Sequence, residues 1–120
     1  MELDFLAISS YGKEASSSGV VKIRKDIDLD ITVRDVIIVE DIVDTGLSLQ
    51  YIKEYLSKHS PATLKTCVLL DKPAAHKIDV SFDYVGFEIG NEFIVGYGLD
   101  YNEQYRNLPY LGILKEELYK

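Results

Sequence analysis

Cysteines, cations and long apolar runs are all scarce in this chain, and each shortage excludes something. Cys67 is the only cysteine among 120 residues, so no disulfide can form within the chain, which fits a reducing cytoplasmic compartment. The net charge of −7 argues against a nucleic-acid partner, because such proteins usually carry a basic surface. No apolar run approaches the roughly 20 residues that cross a bilayer. The first residues show no basic region followed by an apolar stretch, so no secretory signal is predicted.

The apolar pattern predicts an α/β fold with a parallel sheet. Four β-branched residues in succession, residues 36–39, suit a strand that is covered on both faces. Helical spacing follows over residues 47–58, where Leu49, Ile52 and Leu56 share one face. Another apolar strand is then predicted at residues 64–70. A succession of strand, helix and strand indicates a parallel pair in a doubly wound, Rossmann-like sheet.

The remaining elements are predicted to complete one domain over residues 1–120. Connections are short, so a second domain is not expected. Residues 26–34 favour a turn or a short helical stretch, and residues 111–120 favour a strand end with a short helix. Further strands are predicted at residues 5–8, 20–24, 82–89 and 93–95.

The most informative segment follows the strand at residues 36–39. Two adjacent carboxylates, Glu40 and Asp41, lie at its carboxyl end, where open α/β sheets bind ligands. Asp44 precedes a Thr-Gly pair that opens the helix, and helical N–H groups at that end lack internal partners. This arrangement indicates a phosphate-binding loop at a helix N-terminus. From spacing alone, an acidic loop with an ordinary Asp or Thr helix cap remains an equal alternative.

The whole string at residues 36–46 (VIIVEDIVDTG) resembles the 5-phosphoribosyl-1-pyrophosphate (PRPP) signature of type I phosphoribosyltransferases. Other blocks resemble the hypoxanthine-guanine branch of that family and occur in its order. They are residues 9–12 (SSYG), 70–73 (LDKP), 83–89 (DYVGFEI), 93–101 (FIVGYGLDY) and 105–110 (YRNLPY). The resemblance covers nearly the whole chain. It implies a purine-salvage enzyme that joins hypoxanthine or guanine to PRPP and yields IMP or GMP plus pyrophosphate.

The resemblance assigns the ribose, the phosphate and the proton transfer to the segment after the strand. Glu40 and Asp41 would bind the ribose hydroxyls, and both would lie near a bound Mg²⁺. Asp44 would be catalytic, exchanging a proton with purine N7 as the base attacks the anomeric carbon. The alternative for Asp44 is a helix cap. The phosphate-binding residues would be Asp44, Thr45, Gly46, Leu47 and Ser48.

The resemblance places purine recognition further along the chain. Lys72 would donate to the 6-oxo group and so select hypoxanthine and guanine over adenine. Phe93 would stack on the purine, and Ile94 would offer backbone groups to its edge. Asp100 would complete the purine-binding set and approach the Mg²⁺ on the pyrophosphate side. The alternatives are a surface lysine for Lys72, core packing for Phe93 and a surface ion pair for Asp100.

Pyrophosphate binding and closure of the site are assigned to both ends of the chain. Arg106 would pair with the leaving pyrophosphate, with a surface ion pair as the alternative. Ser10 and Tyr11 would begin a lid that excludes water from the reacting centre, with a plain serine-rich loop as the alternative. Cys67, His59 and His76 receive no role.

Family members carry, before the strand that corresponds to residues 5–8, a further segment that has no counterpart in this sequence. It holds early helices, a central strand and a Leu-Lys-Gly-type pyrophosphate loop, so the chain is expected to correspond to the C-terminal two-thirds of the family fold. Low activity of the 120 residues alone is therefore expected. The resemblance also implies a homo-oligomer, a dimer or a tetramer. The alternative functions are a non-catalytic nucleotide-binding module of the same fold and a xanthine-preferring relative. A P-loop enzyme is not expected, because no P-loop string occurs in the sequence.

Overall fold

The computed structural model describes residues 1–10, 21–90, 93–96, 104, 107, 109 and 111–115. The chain forms two compact units, Met1–Glu88 and Ile89–Lys120. No helix within the described residues combines the length and the apolar character needed to span a membrane. The prediction of a single domain stays a prediction.

The first unit is built on a parallel three-stranded sheet. In sequence order, its strands are β3 (Asp35–Val43), β4 (Thr63–Asp71) and β5 (Tyr84–Glu88), and they are also neighbours in that order. The pairing of β3 with β4 runs in register from Asp35 opposite Thr63 to Val43 opposite Asp71. The predicted α/β fold with a parallel sheet is therefore confirmed.

Helix α1 (Leu47–Ser57) connects β3 to β4 and covers one face of the sheet. Its buried residues are Leu49, Ile52 and Leu56, which is the predicted face. They form the core with Ile38 and Val68 of the sheet. Burying each such side chain contributes about 2 kcal/mol, so this one face accounts for much of the apolar stabilisation of the unit.

The opposite face of the sheet differs from the prediction. Ile37 and Val39 are 58% and 76% exposed, although a strand covered on both faces was expected. Residues of a strand alternate between faces, so Ile38 packs under α1 while its two neighbours point away from the helix. Within the described residues, β3 is hydrogen-bonded on one side only, to β4. The prediction of two covered faces is therefore wrong for this chain as it stands.

A two-stranded antiparallel sheet precedes the parallel one. Its strands are β1 (Ala7–Ser10) and β2 (Val21–Lys25). The predicted strand at residues 5–8 begins two residues later than expected, and Phe5 is 66% exposed. The prediction of a buried strand is therefore wrong for Phe5, whereas Ala7 and Ile8 belong to β1 and the partly buried Ile8 packs against the core. Residues 26–34 contain a turn and no helix.

The second unit contains β6 (Phe93–Val95) and β7 (Gly112–Leu114), which pair antiparallel. Val95 is buried, with 4% of its surface exposed. The sequence predicted β6 correctly. The strand expected in the tail is β7, whereas the short helix expected after it falls on residues outside the described part of the chain.

Candidate functional site

The candidate site lies at the carboxyl ends of the parallel strands. Val43 and Asp71 end β3 and β4 side by side. The chain then turns into α1 after β3, and into a short 3₁₀ turn (Pro73–Ala75) after β4. The backbone N–H of Lys72 donates to the carbonyl of Val43 at 3.0 Å. Residues 44–48 and Lys72 are therefore neighbours at the sheet edge where open α/β folds bind ligands.

Gly46 determines how the first of these turns enters the helix. It is the N-cap residue of α1, with φ at +88° in the left-handed region. A Cβ atom at this position would lie 3.2 Å from Cγ1 of Val80, so a larger residue would be both strained and crowded. The Asp-Thr-Gly order thus has a structural reason in its last residue.

The entrance of α1 leaves backbone donors open. Gly46 has no side chain to cap the helix, and among the first three helical N–H groups only that of Leu47 is engaged, by Oγ1 of Thr45 at 3.3 Å. The N–H groups of Gly46, Ser48 and Leu49 meet no acceptor in the described part of the chain. Asp44 is exposed and does not cap the helix, so that alternative is wrong. Open N–H groups at a helix N-terminus attract an anion.

A small cavity faces these donors. Its volume is about 120 Å³. Its lining is Glu40, Ile42, Val43, Asp44, Thr45, Gly46, Ser48 and Leu49. Four of the five predicted phosphate-binding residues, all except Leu47, therefore line one cavity, and the predicted contribution of Leu47 is its backbone N–H.

Glu40 and Asp41 occupy different environments although they are adjacent. Glu40 lines the cavity and is half-buried, whereas Asp41 is exposed and accepts the N–H of Ile42 at 2.7 Å. Neighbouring residues of a strand point to opposite faces, so the two carboxylates diverge. Loss of hydration on burial, and then the negative charge of Asp41, raise the pKa of Glu40 from 4.5 to about 7.

Lys72 is half-buried directly after β4. Its ammonium group makes no hydrogen bond or ion pair with any residue that the structure describes. Its position leaves the ammonium group available to a ligand, and the choice between a ligand-binding lysine and a surface lysine stays a prediction.

Several predicted site residues cannot be joined to this geometry. Ser10 ends β1, Phe93 begins β6, and Ile94 is half-buried in β6 within the second unit. Tyr11, Asp100 and Arg106 lie outside the described residues. Their predicted roles stay predictions.

Sequence reasoning missed the pair formed by Asp71 and His76. Nε2 of His76 lies 2.6 Å from Oδ1 of Asp71, and Asp71 is only 4% exposed. The signal was present in the sequence, because an aspartate that ends an apolar strand is often buried and then requires a donor. His76 has no metal-ligand spacing in the sequence, so the sequence alone assigns it no role.

Together, the parallel sheet, the glycine-entered helix and the flanking carboxylate define an α/β domain with an open helix N-terminus at the edge where such sheets bind ligands. Residues 1–102 match the phosphoribosyl transferase domain family. The chain is 51% identical over 119 residues to a hypoxanthine-guanine phosphoribosyltransferase of Streptococcus thermophilus, covering 99% of this chain and 66% of that protein. It is 50% identical over 120 residues to the Bacillus subtilis enzyme of that name, covering 100% of this chain and 67% of the relative.

Solved structures agree with these relatives. The fold matches a hypoxanthine-guanine phosphoribosyltransferase of Bacillus anthracis with a TM-score of 0.89 and 51% identity, over 93% of this chain and 66% of the other. A hypoxanthine phosphoribosyltransferase of Staphylococcus aureus matches with a TM-score of 0.91 and 49% identity, over 98% and 64%. The chain therefore belongs to the phosphoribosyltransferase family. It spans about two-thirds of the length of the relatives that it matches.

Proposed function

We propose that the chain carries the nucleotide-binding part of a hypoxanthine-guanine phosphoribosyltransferase. In this reaction a purine ring nitrogen attacks the anomeric carbon of PRPP, a carbon–nitrogen bond forms, and the bond to pyrophosphate breaks. The products are IMP or GMP and pyrophosphate. The observation that carries the proposal is the cavity at the glycine-entered helix, with Glu40 on its wall.

The 5′-phosphate would occupy the cavity at the start of α1. The open N–H groups of Gly46, Ser48 and Leu49 would donate to it, and the dipole of α1 would favour its negative charge. Hydroxyls of Thr45 and Ser48 would add side-chain donors. Glu40 would accept a hydrogen bond from a ribose hydroxyl next to this phosphate.

Asp44 would take the proton from purine N7 as positive charge develops on the base. It is exposed and not engaged as a helix cap, so its carboxylate is available for this exchange. Lys72 would donate to the 6-oxo oxygen, which adenine lacks. By resemblance alone, Phe93, Ile94 and Asp100 would hold the base, Arg106 would bind pyrophosphate, and Ser10 and Tyr11 would begin the lid.

Mg²⁺ would enter together with the substrate. No group of three or more His, Cys, Asp or Glu side chains that could hold a metal occurs among the described residues. One or two carboxylates with substrate phosphates and water suit Mg²⁺, so Glu40 would approach an ion carried by PRPP, and by resemblance alone Asp41 and Asp100 would lie near it. When bound, the ion would neutralise charge on the pyrophosphate.

The proposal extends to the setting of the protein. A homo-oligomer, a dimer or a tetramer, is supported by the exposed apolar side chains of Ile37 and Val39. A cytoplasmic location is supported by the single cysteine, Cys67. Sedimentation velocity at several concentrations would test the first part, and a single monomeric species throughout would contradict it.

Titration of the chain with GMP and with guanosine tests the proposed site. We expect GMP to bind and guanosine to bind more weakly, since only GMP has the phosphate. Thr45→Val should lower the affinity for GMP about tenfold by removing one oxygen from the loop. Thr63→Val is the matched control, because Thr63 lies at the opposite end of β4 and bonds Asp35.

An assay of IMP formation from hypoxanthine and PRPP tests the reaction itself. Formation of IMP by the chain would support the enzymatic function directly. GMP binding without IMP formation is the result expected of the nucleotide-binding part alone, and an assay of a longer polypeptide with the same site then distinguishes the enzyme from a non-catalytic nucleotide-binding module. A folded chain that binds no GMP, or an equal loss of affinity in Thr63→Val, would contradict the proposed site.

A further inference from the structure

The turn after β4 is closed by a buried hydrogen bond. Asp71 is 4% exposed, and its Oδ1 lies 2.6 Å from Nε2 of His76. A carboxylate can only accept, so Nε2 carries the hydrogen and donates it. The imidazole also packs edge-on against Phe82, with ring centroids 6.0 Å apart. A buried carboxylate needs such a donor, so the bond fixes His76 relative to the end of β4.

Lys72 lies in the short stretch of chain between Asp71 and His76. The backbone N–H of Lys72 donates to the carbonyl of Val43 at 3.0 Å. The carbonyl of Lys72 accepts the N–H of Ala75 at 3.0 Å, in the 3₁₀ turn that leads to His76. The side chains of Asp71 and His76 join the two ends of this short stretch. The direction in which Lys72 leaves the sheet therefore depends on this side-chain bond and on the two backbone bonds of Lys72.

The segment after His76 contacts the phosphate loop, which is the loop at residues 44–48. The N–H of Lys77 donates to the carbonyl of Thr45 at 2.9 Å. Side chains of Ile78 and Val80 lie against Gly46, at 3.5 Å and 3.2 Å from where a Cβ atom would stand. A shift of His76 would therefore move both Lys72 and the residues that pack against the phosphate loop.

We propose that the Asp71–His76 hydrogen bond is a positioning element that sets the base-binding lysine and the phosphate loop relative to one another. His76 acts through Lys72 and Thr45 and does not touch the substrate. The effect on ligand binding rests on the proposed function, whereas the effect on the loop does not. Two measurements therefore separate the two ideas.

The first measurement is amide hydrogen exchange in the ligand-free chain. His76→Phe keeps a ring against Phe82 but removes the donor, and His76→Gln keeps an amide donor. We expect the N–H groups of Lys72 and Lys77 to exchange about tenfold faster in His76→Phe and close to the original rate in His76→Gln. His59→Phe is the matched control, because His59 lies beyond the opposite end of α1 and bonds the carbonyl of Tyr55.

The second measurement compares the affinities for GMP and AMP. If the bond positions Lys72, His76→Phe should weaken GMP binding about tenfold and narrow the preference for GMP over AMP, while His76→Gln should restore most of both. A general loss of stability would weaken both nucleotides equally. Asp71→Asn, which keeps the shape but gives a weaker acceptor, supplies the same comparison if His76→Phe does not fold.

The outcomes are distinct for the two ideas. Faster exchange at Lys72 and Lys77 with a narrowed preference for GMP supports the proposal. Unchanged exchange in the folded His76→Phe and Asp71→Asn variants would overturn it, whatever the ligand data show. Failure of the original chain to bind GMP, combined with faster exchange in His76→Phe, would overturn the proposed function and support the positioning of the loop.

Discussion

The half-buried carboxyl of Glu40 makes the stability of this chain depend on pH in an unusual direction. Burial and the charge of Asp41 raise the pKa of Glu40 from 4.5 to about 7 in the folded state. Between these two values the folded chain holds a proton that the unfolded chain has released. Glu40 should therefore leave the free energy of unfolding unchanged below pH 4.5. Between pH 4.5 and pH 7 that free energy should fall as pH rises, and above pH 7 the loss should be complete.

The magnitude follows from the two pKa values. A displacement from 4.5 to about 7 corresponds at most to about 3.5 kcal/mol, at roughly 1.4 kcal/mol per tenfold change in proton affinity. Solvent reaches part of the side chain, so about 2 kcal/mol between pH 5 and pH 8 is the better expectation. That is a large share of the 5–15 kcal/mol that stabilises typical domains.

Glu40→Gln tests this reasoning because glutamine keeps the shape and stays neutral at every pH. We expect the variant to be about 2 kcal/mol more stable than the original chain at pH 8 and nearly equal to it at pH 5. Urea unfolding at both pH values, in buffer with a metal chelator, gives the two free energies of unfolding. Glu88→Gln is the control, since Glu88 is exposed on β5 and should leave both values unchanged.

The reasoning would be refuted by a stability gain in Glu40→Gln that is the same at pH 5 and pH 8. Such a result would mean that the carboxyl titrates alike in the folded and unfolded chain.

Three further substitutions have defined outcomes. Asp44→Asn, in a polypeptide that turns over PRPP, should lower kcat by about 10²–10⁴-fold with little change in PRPP binding, and an unchanged kcat would remove Asp44 from proton transfer. Lys72→Ala should raise KM for hypoxanthine and guanine and narrow the discrimination against adenine in competition assays, whereas unaltered base affinity would make Lys72 a surface residue. Gly86→Ala should destabilise the chain by about 1–3 kcal/mol in urea unfolding, because its Cβ would lie 2.7 Å from the carbonyl oxygen of Leu69; a loss below about 0.5 kcal/mol would show that β5 shifts freely away from β4.

The sequence predicted those parts of the fold that depend on local pattern. Helix α1 was found because Leu49, Ile52 and Leu56 repeat at helical spacing, and β3 because β-branched residues follow one another. The two-stranded ribbons β1–β2 and β6–β7 were not predicted as pairs. Pairing depends on which distant segment of the chain lies alongside a strand. An apolar run such as residues 5–8 does not indicate its partner strand.

The candidate site was predicted in its residues and less well in its geometry. The loop at residues 44–48 was found because strand, turn and helix are contiguous. Adjacent Glu40 and Asp41 look like one acidic pair in the sequence, but the strand alternation separates them, and burial raises the pKa of Glu40 to about 7. The role of His76 was missed because its partner is defined by burial, which depends on tertiary packing.

The free side of β3 has a consequence for how the chain behaves in solution. A strand that is paired on one side only, among the described residues, offers a row of N–H and C=O groups to any other extended chain. Here the row is flanked by the exposed side chains of Ile37 and Val39, in a run of four β-branched residues without a charge. We expect such a segment to template growth of cross-β aggregates during refolding and storage. A lysine at Val39, on the face away from α1, would act as a gatekeeper against that growth without disturbing the core.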